Sequence, residues 1–127
     1  MEHNFDRSMQ QDILDPADTR ALIERFYTRA RPDPLIGHFF TELDWDHHIP
    51  HITAFWNMVL FGDRSFQGDP MTAHKKLHAR LPMKPAHFAR WVELFQATVD
   101  ELFTGPKAEE AKQRAATIAG VMMHKVL

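Results

Sequence analysis

Apolar side chains recur at steps of three and four residues in four segments of this chain, which is the pattern of an amphipathic helix. The first segment runs from Asp18, behind an Asp15-Pro16 start signal, and stops at residues 32–34, which contain two prolines. The second begins near Ile52 and ends at Gly62. The apolar positions of these two segments are Leu22, Ile23, Phe26, Tyr27 and Ala30, and Ile52, Phe55, Trp56, Val59 and Leu60.

The second half of the chain predicts two further helices. The third starts at about Pro85 and closes at residues 104–106, and the fourth follows from Pro106. Residues 63–84 are rich in polar and turn-forming side chains, with a short helix expected over residues 71–78. No alternating run of β-branched residues occurs, so the predicted fold class is all-α.

The composition places the chain among packed globular domains. Its 127 residues are 44% hydrophobic and 25% charged, so we expect one domain that spans residues 1–127. With 15 Lys and Arg against 17 Asp and Glu, the chain lacks the positive field that binds phosphate backbones, and nucleic acid is not an expected partner. Residues 1–6 lack the basic start of a signal peptide, and no apolar run approaches about 18 residues. We therefore expect a soluble cytoplasmic protein without a membrane partner.

The chain contains no cysteine, which excludes several kinds of site. Disulfides, cysteine-ligated zinc, iron–sulfur clusters, thiolate nucleophiles and covalent haem attachment through Cys-x-x-Cys-His all require that residue. Any bound metal must therefore be held by histidine or carboxylate side chains. The chain has nine histidines, and several of them are clustered.

Two histidine pairs have the spacing of neighbours on one helix face. His47 and His51 lie four residues apart, as do His74 and His78. Imidazole pairs at this spacing can hold zinc or iron, although solvated surface histidines show the same spacing. A haem-free helical metal-binding protein that uses these four histidines is therefore an alternative function, and a ligand-free interaction module is another. The inward Glu-x-x-His motif of metal-binding bundles is absent, which argues against the first of these.

A group of aromatic residues forms either a plain core or the wall of a cofactor site. The group consists of Phe55, Trp56, Phe88, Trp91 and Phe95. Helical spacing alone favours a core. However, the chain also places Tyr27 on the first helix, His48 at the start of the next, His74 on the short segment and Trp91 on the third helix. This combination suggests a pocket with a polar side and a metal-ligand side.

From about Leu22 to the C-terminus, the chain resembles a group III truncated haemoglobin. The resemblance rests on short motifs that occur in the family's order and with compatible gaps. They are Phe26-Tyr27, Asp33-Pro34-Leu35, Phe39-Phe40, Trp45 followed by His48, Phe55-Trp56, Phe66-x-Gly68-x-Pro70-x-x-x-His74 and His87-Phe88-x-x-Trp91-x-x-Leu94-Phe95. The resemblance implies a truncated globin-like two-over-two helical sandwich that holds haem b, an iron protoporphyrin IX, without a covalent bond.

The resemblance also implies roles for individual residues. His74 corresponds to the proximal ligand, which binds the haem iron through Nε2. Tyr27, His48 and Trp91 match the distal polar positions. The apolar wall around the porphyrin would consist of Phe40, Ile52, Phe55, Trp56 and Phe88.

The activity that the resemblance implies is reversible binding of a diatomic gas, namely dioxygen, nitric oxide or carbon monoxide. Hydrogen-bond donors at the distal positions would stabilise the partial negative charge on bound dioxygen. Oxidation of nitric oxide and peroxidase-like turnover are further activities of such a site, and the motifs do not decide whether the protein is an enzyme. A reductase that restores the ferrous iron is a candidate partner.

The start of the second helix leaves one alternative open. Pro50 lies two residues after His48 and cannot donate a backbone hydrogen bond. If the helix starts irregularly, or only at Ile49 or Pro50, His48 swings outward. His47 or His51 is then the residue nearest the ligand.

The identity of the proximal histidine is also open. Counting forward from Trp56 selects His74, whereas counting backward from Trp91 selects His78. We favour His74, because the segment from Pro70 shows no insertion and the following loop absorbs length differences at low cost. Lys75, Lys76 and Arg80 are either propionate partners or part of a solvated basic face.

Overall fold

The computed structural model describes residues 10–127. Residues 1–6, on which the expectation of no signal peptide rests, lie outside this range. The described part contains α-helices, one short 3-10 helix and no β-strand, so the predicted all-α class is confirmed. The helices are α1 (Pro16–Ala30), the 3-10 helix (Gly37–Phe40), α2 (Trp45–Phe61), α3 (Pro70–Arg80), α4 (Pro85–Leu102) and α5 (Pro106–Val126). None of these helices has the length and apolar character needed to cross a bilayer.

Local sequence signals set most of the helix ends. The carboxylate of Asp15 caps α1 by accepting a hydrogen bond from the backbone N–H of Asp18 at 3.0 Å. Gly62 ends α2 with a φ of 69°, in the left-handed region that favours glycine. Prolines occupy the first turn of α1, α3, α4 and α5, where no intrahelical hydrogen bond is lost. Helix α3 extends beyond the predicted residues 71–78 at both ends.

The start of α2 differs from the late or irregular start that Pro50 suggests. The helix begins at Trp45, and Pro50 lies inside it. Pro50 has no N–H to donate to the carbonyl of Asp46, so one backbone hydrogen bond is lost close to the helix start. The rings of Trp45 and His48 both pack edge-on against Tyr27, and this contact offsets the loss. His48 therefore points inward, and the alternative in which it swings outward is wrong.

The core lies between two pairs of helices. Helix α1 packs against α2 and α4, and α5 packs against α4 and α3. Three fully buried aromatic rings meet at the centre, one each from α1, α2 and α4: Phe26, Trp56 and Phe95. Phe95 stacks on Trp56 with ring centroids 4.6 Å apart, and Phe26 lies 5.6 Å from Phe95. This arrangement agrees with the two-over-two helical sandwich that the resemblance implies.

A buried carboxylate ties the segment after α1 to α4. Asp33 accepts two hydrogen bonds from the guanidinium of Arg90, at 2.8 and 3.0 Å. Its second oxygen accepts the backbone N–H groups of Leu35 and Ile36 at 3.0 and 3.1 Å. The hydrogen bonds from Arg90 hold the pKa of Asp33 below its usual value. Because Arg90 directly precedes Trp91, this contact fixes α4 beside the candidate site.

Candidate functional site

Helix α2 has two adjacent side-chain faces that differ in burial. One face is buried in the core and consists of Thr53, Trp56, Asn57 and Leu60. The neighbouring face is only half-buried, and it consists of His48, Ile52, Phe55 and Val59. Steps of four, three and four residues place this second set in one line along the helix. Large apolar side chains left half-exposed in a line form a surface that another group can cover.

Helix α3 has no buried side chain along its 11 residues. Its half-buried inner residues share one face: Met71, His74, Leu77 and His78. A helix of this length is marginal on its own and normally depends on the packing of an apolar face. Since α5 is the main helix that α3 packs against, much of this face is left for a bound group.

Helix α4 supplies a third wall, because Phe88 and Trp91 are half-buried near its N-terminus. Burial is the main reason that the pKa of His48 is lowered, and the charge of His74 on α3 is near enough to add a small further lowering. The three walls are apolar apart from a few polar groups. The residues present therefore fit a flat, largely apolar group such as haem, with one imidazole available as a ligand.

The two histidines of α3 differ in which ring nitrogen carries the proton. Nδ1 of His74 lies 2.7 Å from the carbonyl oxygen of Pro70. A carbonyl only accepts, so Nδ1 is protonated and Nε2 keeps its lone pair free for a metal. Nδ1 of His78 instead accepts the backbone N–H of Met83 at 2.8 Å, which places the proton of a neutral ring on Nε2. Of these two histidines, His74 is the one with the tautomer of a ligand that binds through Nε2.

On the opposite wall, the hydroxyl of Tyr27 lies 2.8 Å from Nε2 of His48. Tyr27 is 8% exposed, and burial raises the pKa of its phenol, so the hydroxyl stays protonated. Burial also lowers the pKa of His48 to about 4, with smaller contributions from the charges of His51, His47 and His74. The pair is therefore uncharged at neutral pH and can supply a hydrogen-bond donor without bringing a net charge into the pocket.

The other predicted wall residues fall into two groups. Phe40 lies edge-on against Tyr27 at 5.4 Å, while Ile52, Phe55 and Phe88 remain half-buried. Trp56, by contrast, is 2% exposed and belongs to the core face of α2. The ring of Trp91 stacks on Phe95 at 5.3 Å and leaves its indole N–H without an acceptor among residues 10–127.

Trp45 is the residue that the sequence did not assign to the site. Its ring lies 5.1 Å from that of Tyr27 and 5.7 Å from that of His48. The guanidinium carbon of Arg31 also lies over the indole, 4.4 Å from the ring centroid. The sequence did contain a signal for this role. Trp45 lies three positions before His48, and residues at that spacing share one face of a helix.

The pair of His47 and His51 lies on the other side of α2. The two rings are nearly parallel, with centroids 5.5 Å apart, and Phe66 covers His51 at 4.9 Å. They border an open cleft of about 330 Å³ between α2 and residues 65–67. Across residues 10–127, no three His, Asp or Glu side chains converge as a metal site. The structure thus does not support the alternative of a haem-free metal protein, and His48, not His47 or His51, lies nearest Tyr27.

Comparisons with known proteins agree with this geometry. The sequence pattern of a family described as bacterial-like globin matches residues 12–125. A group 3 truncated hemoglobin of Campylobacter jejuni is 27% identical over 118 residues, which cover 87% of this chain and 90% of that protein. A group 1 truncated hemoglobin of Synechocystis is 30% identical over 104 residues, covering 81% and 82%. The crystal structure of a group III truncated hemoglobin from Campylobacter jejuni superposes with a TM-score of 0.83 at 25% identity, covering 94% of this chain and 96% of the other.

Proposed function

Because the chain belongs to the bacterial-like globin family, we propose that it is a haem-binding globin that holds haem b through His74 and reversibly binds dioxygen or another diatomic gas. Haem, when bound, supplies an iron with an open sixth coordination position. The remaining tasks fall to the side chains of this chain. They must bind the macrocycle, orient the proximal imidazole and place hydrogen-bond donors on the distal side.

The observation that carries the proposal is the hydrogen bond from Nδ1–H of His74 to the carbonyl of Pro70, at 2.7 Å. It fixes the ring orientation and the tautomer, and it makes Nε2 a better electron donor. His78 lacks this arrangement because its Nδ1 accepts the N–H of Met83. The choice between the two histidines that the sequence left open therefore favours His74.

The distal side supports a function in gas binding. Tyr27 stays protonated because of its burial, and it shares one hydrogen bond with neutral His48. If Nε2 of His48 carries the proton, it donates to the phenol oxygen and leaves the Tyr27 O–H free to donate to a ligand. The indole N–H of Trp91 is a second donor. Each such hydrogen bond contributes about 1 kcal/mol, and more in a dry pocket, so these residues tune how long a ligand is retained.

Noncovalent haem b is the cofactor that fits the residues. The chain has no cysteine for thioether attachment. The half-buried apolar faces of α2 and α4, which include Ile52, Phe55 and Phe88, provide the surface that a porphyrin can cover. Filling the space between them would bury these side chains and would add to the packing of the inner face of α3, which is only half-buried.

The test is a titration of the purified haem-free protein with hemin, followed by reduction and addition of carbon monoxide. We expect one haem per chain and a Soret band that shifts sharply with carbon monoxide. His74→Ala should abolish this spectrum, whereas the matched variant His78→Ala should retain it. A spectrum unchanged in His74→Ala, or lost only in His78→Ala, would contradict the proposal.

A further inference from the structure

The first turn of α2 is weakly held by the backbone. Its N-cap residue, Asp44, makes no side-chain capping hydrogen bond. One turn later, Pro50 has no N–H to donate to the carbonyl of Asp46. The backbone N–H groups of His47 and His48 both bond to the carbonyl of Asp44, at 3.1 and 2.8 Å. This turn therefore depends on its side chains to stay in place.

Three side chains of this turn reach inward: Trp45, His48 and Ile49. His48 contacts Tyr27 through a hydrogen bond to its hydroxyl and through an edge-on contact of the two rings. Trp45 makes broader contact, since it packs edge-on against the rings of both Tyr27 and His48. Trp45 thus contacts both members of the distal pair.

The outer face of Trp45 is covered by a cation from a different helix end. Arg31 is the C-cap residue of α1, and its guanidinium carbon lies 4.4 Å from the indole centroid. Within residues 10–127, no carboxylate pairs with Arg31, so its charge is directed at the ring. The indole therefore contacts exposed Arg31 as well as buried Tyr27 and half-buried His48.

We propose that Trp45 is a positioning residue that keeps the first turn of α2, and with it His48, closed over the distal site, and that Arg31 holds Trp45 in place from outside. This inference rests on the proposed gas-binding function. When Trp45 leaves its position, the turn before Pro50 opens and carries His48 away from Tyr27. The rates of gas entry and escape then depend on how stable the contact between Trp45 and the Tyr27–His48 pair is.

The test uses the full chain with Trp45→Ala and Arg31→Gln. The matched control is Phe61→Ala, because Phe61 is an aromatic residue at the other end of α2 with the ammonium of Lys107 over its ring at 5.3 Å. The first measurement is amide hydrogen exchange of residues 47–49 in the haem-free protein. The second is carbon monoxide association after flash photolysis in the hemin-loaded, reduced protein.

For Trp45→Ala we expect roughly fivefold faster exchange at residues 47–49 and a similar gain in the association rate, because its edge-to-face ring contacts are lost. For Arg31→Gln we expect about a twofold change, since a partly exposed cation–π contact is weaker. Phe61→Ala should leave both measurements at residues 47–49 and at the haem unchanged. Trp45→Phe should recover most of the wild-type behaviour.

Exchange and association at wild-type values in Trp45→Ala would overturn the proposal, as would equal effects from Phe61→Ala. If Trp45→Ala does not fold, Arg31→Gln decides, and wild-type exchange and association in that variant would reject the proposal. Failure of the wild-type chain to take up hemin would instead refute the proposed function. The exchange measurement on haem-free protein would still test the role of Trp45.

Discussion

The hydroxyl of Tyr27 and Nε2 of His48 lie 2.8 Å apart, and both groups are uncharged at neutral pH. Burial produces this state in each residue, because it disfavours the charged phenolate and the charged imidazolium alike. An uncharged hydrogen-bond donor from this pair stabilises partial negative charge on a ligand without attracting a permanent anion. In the proposed function, the chemistry of the distal side depends on this pair.

Replacing Tyr27 with Phe should speed the dissociation of dioxygen. The substitution removes one hydroxyl from a buried position and keeps the ring, so its packing against Phe26 and Phe40 is preserved. Loss of a hydrogen bond of about 1 to 1.5 kcal/mol corresponds to roughly a tenfold rise in the dissociation rate. Stopped-flow displacement of dioxygen by carbon monoxide measures the rate. Dissociation at the wild-type rate would mean that the hydroxyl does not face the ligand.

The alkaline titration of Tyr27 should be displaced upward. The chain has one tyrosine, so ultraviolet absorbance of the phenolate reports this residue alone. Burial raises its pKa, and we expect little phenolate at pH 10 in the folded protein but half ionisation near that pH in urea. The stability due to the neutral phenol is complete below the unfolded pKa and is lost as pH rises through the folded one. If Tyr27 in the folded protein were half ionised near pH 10, the result would contradict the burial of its phenol.

His48 should make the haem-free protein less stable in mild acid. Its pKa is about 4 in the folded chain, against about 6.5 for an exposed histidine, so the unfolded state binds more protons between these values. Stability should be complete above pH 6.5 and should fall as pH drops toward 4. We expect a loss of about 1 to 2 kcal/mol from this residue, because partial solvent exposure reduces the full effect. Urea unfolding of wild type and His48→Gln at pH 7, 6 and 5 measures it, and the variant should show a smaller slope.

Asp33→Asn should destabilise the fold by about 2 to 4 kcal/mol, because it removes a buried charge that Arg90 and two backbone N–H groups satisfy. The control is Glu24→Gln, which breaks an exposed pair with Arg20 and should cost less than about 0.5 kcal/mol. Urea unfolding measures both. Equal free energies of unfolding for the two variants would show that the Asp33 contact does not hold α4 in place.

Replacing Gly37 or Gly120 with alanine should change the free energy of unfolding in opposite directions. A Cβ on Gly37 would lie 2.4 Å from the backbone oxygen of Arg31, which cannot move easily. We expect Gly37→Ala to cost about 1 to 3 kcal/mol. Gly120 lies inside α5, and a Cβ there meets nothing within 4 Å. Gly120→Ala should therefore stabilise the protein by about 0.5 to 1 kcal/mol in the same unfolding assay.

The helices could be predicted because their end signals are local. Asp15 caps α1 and Gly62 ends α2 by interactions within a few residues. The start of α2 could not be predicted, because the penalty of Pro50 is local whereas the contact of Trp45 with Tyr27 joins two distant segments. The short helix Gly37–Phe40 offers too few residues for a periodic pattern.

For the candidate site, the sequence predicts a set of residue types but not which ring nitrogens are protonated. The sequence suggested Tyr27, His48 and His74, and left His78 as a competitor. The distinction depends on where each Nδ1 points. For His78 the partner is Met83, beyond the end of α3, and no spacing rule gives that contact.

The most direct test of the account is the resonance Raman spectrum of the hemin-loaded, reduced protein without added ligand. We predict an iron–histidine stretching band in the wild type and in His78→Ala, its loss in His74→Gly, and its return when imidazole is added to His74→Gly. A band that persists in His74→Gly without imidazole, or that disappears in His78→Ala, would contradict the assignment of His74 as the residue that holds the iron.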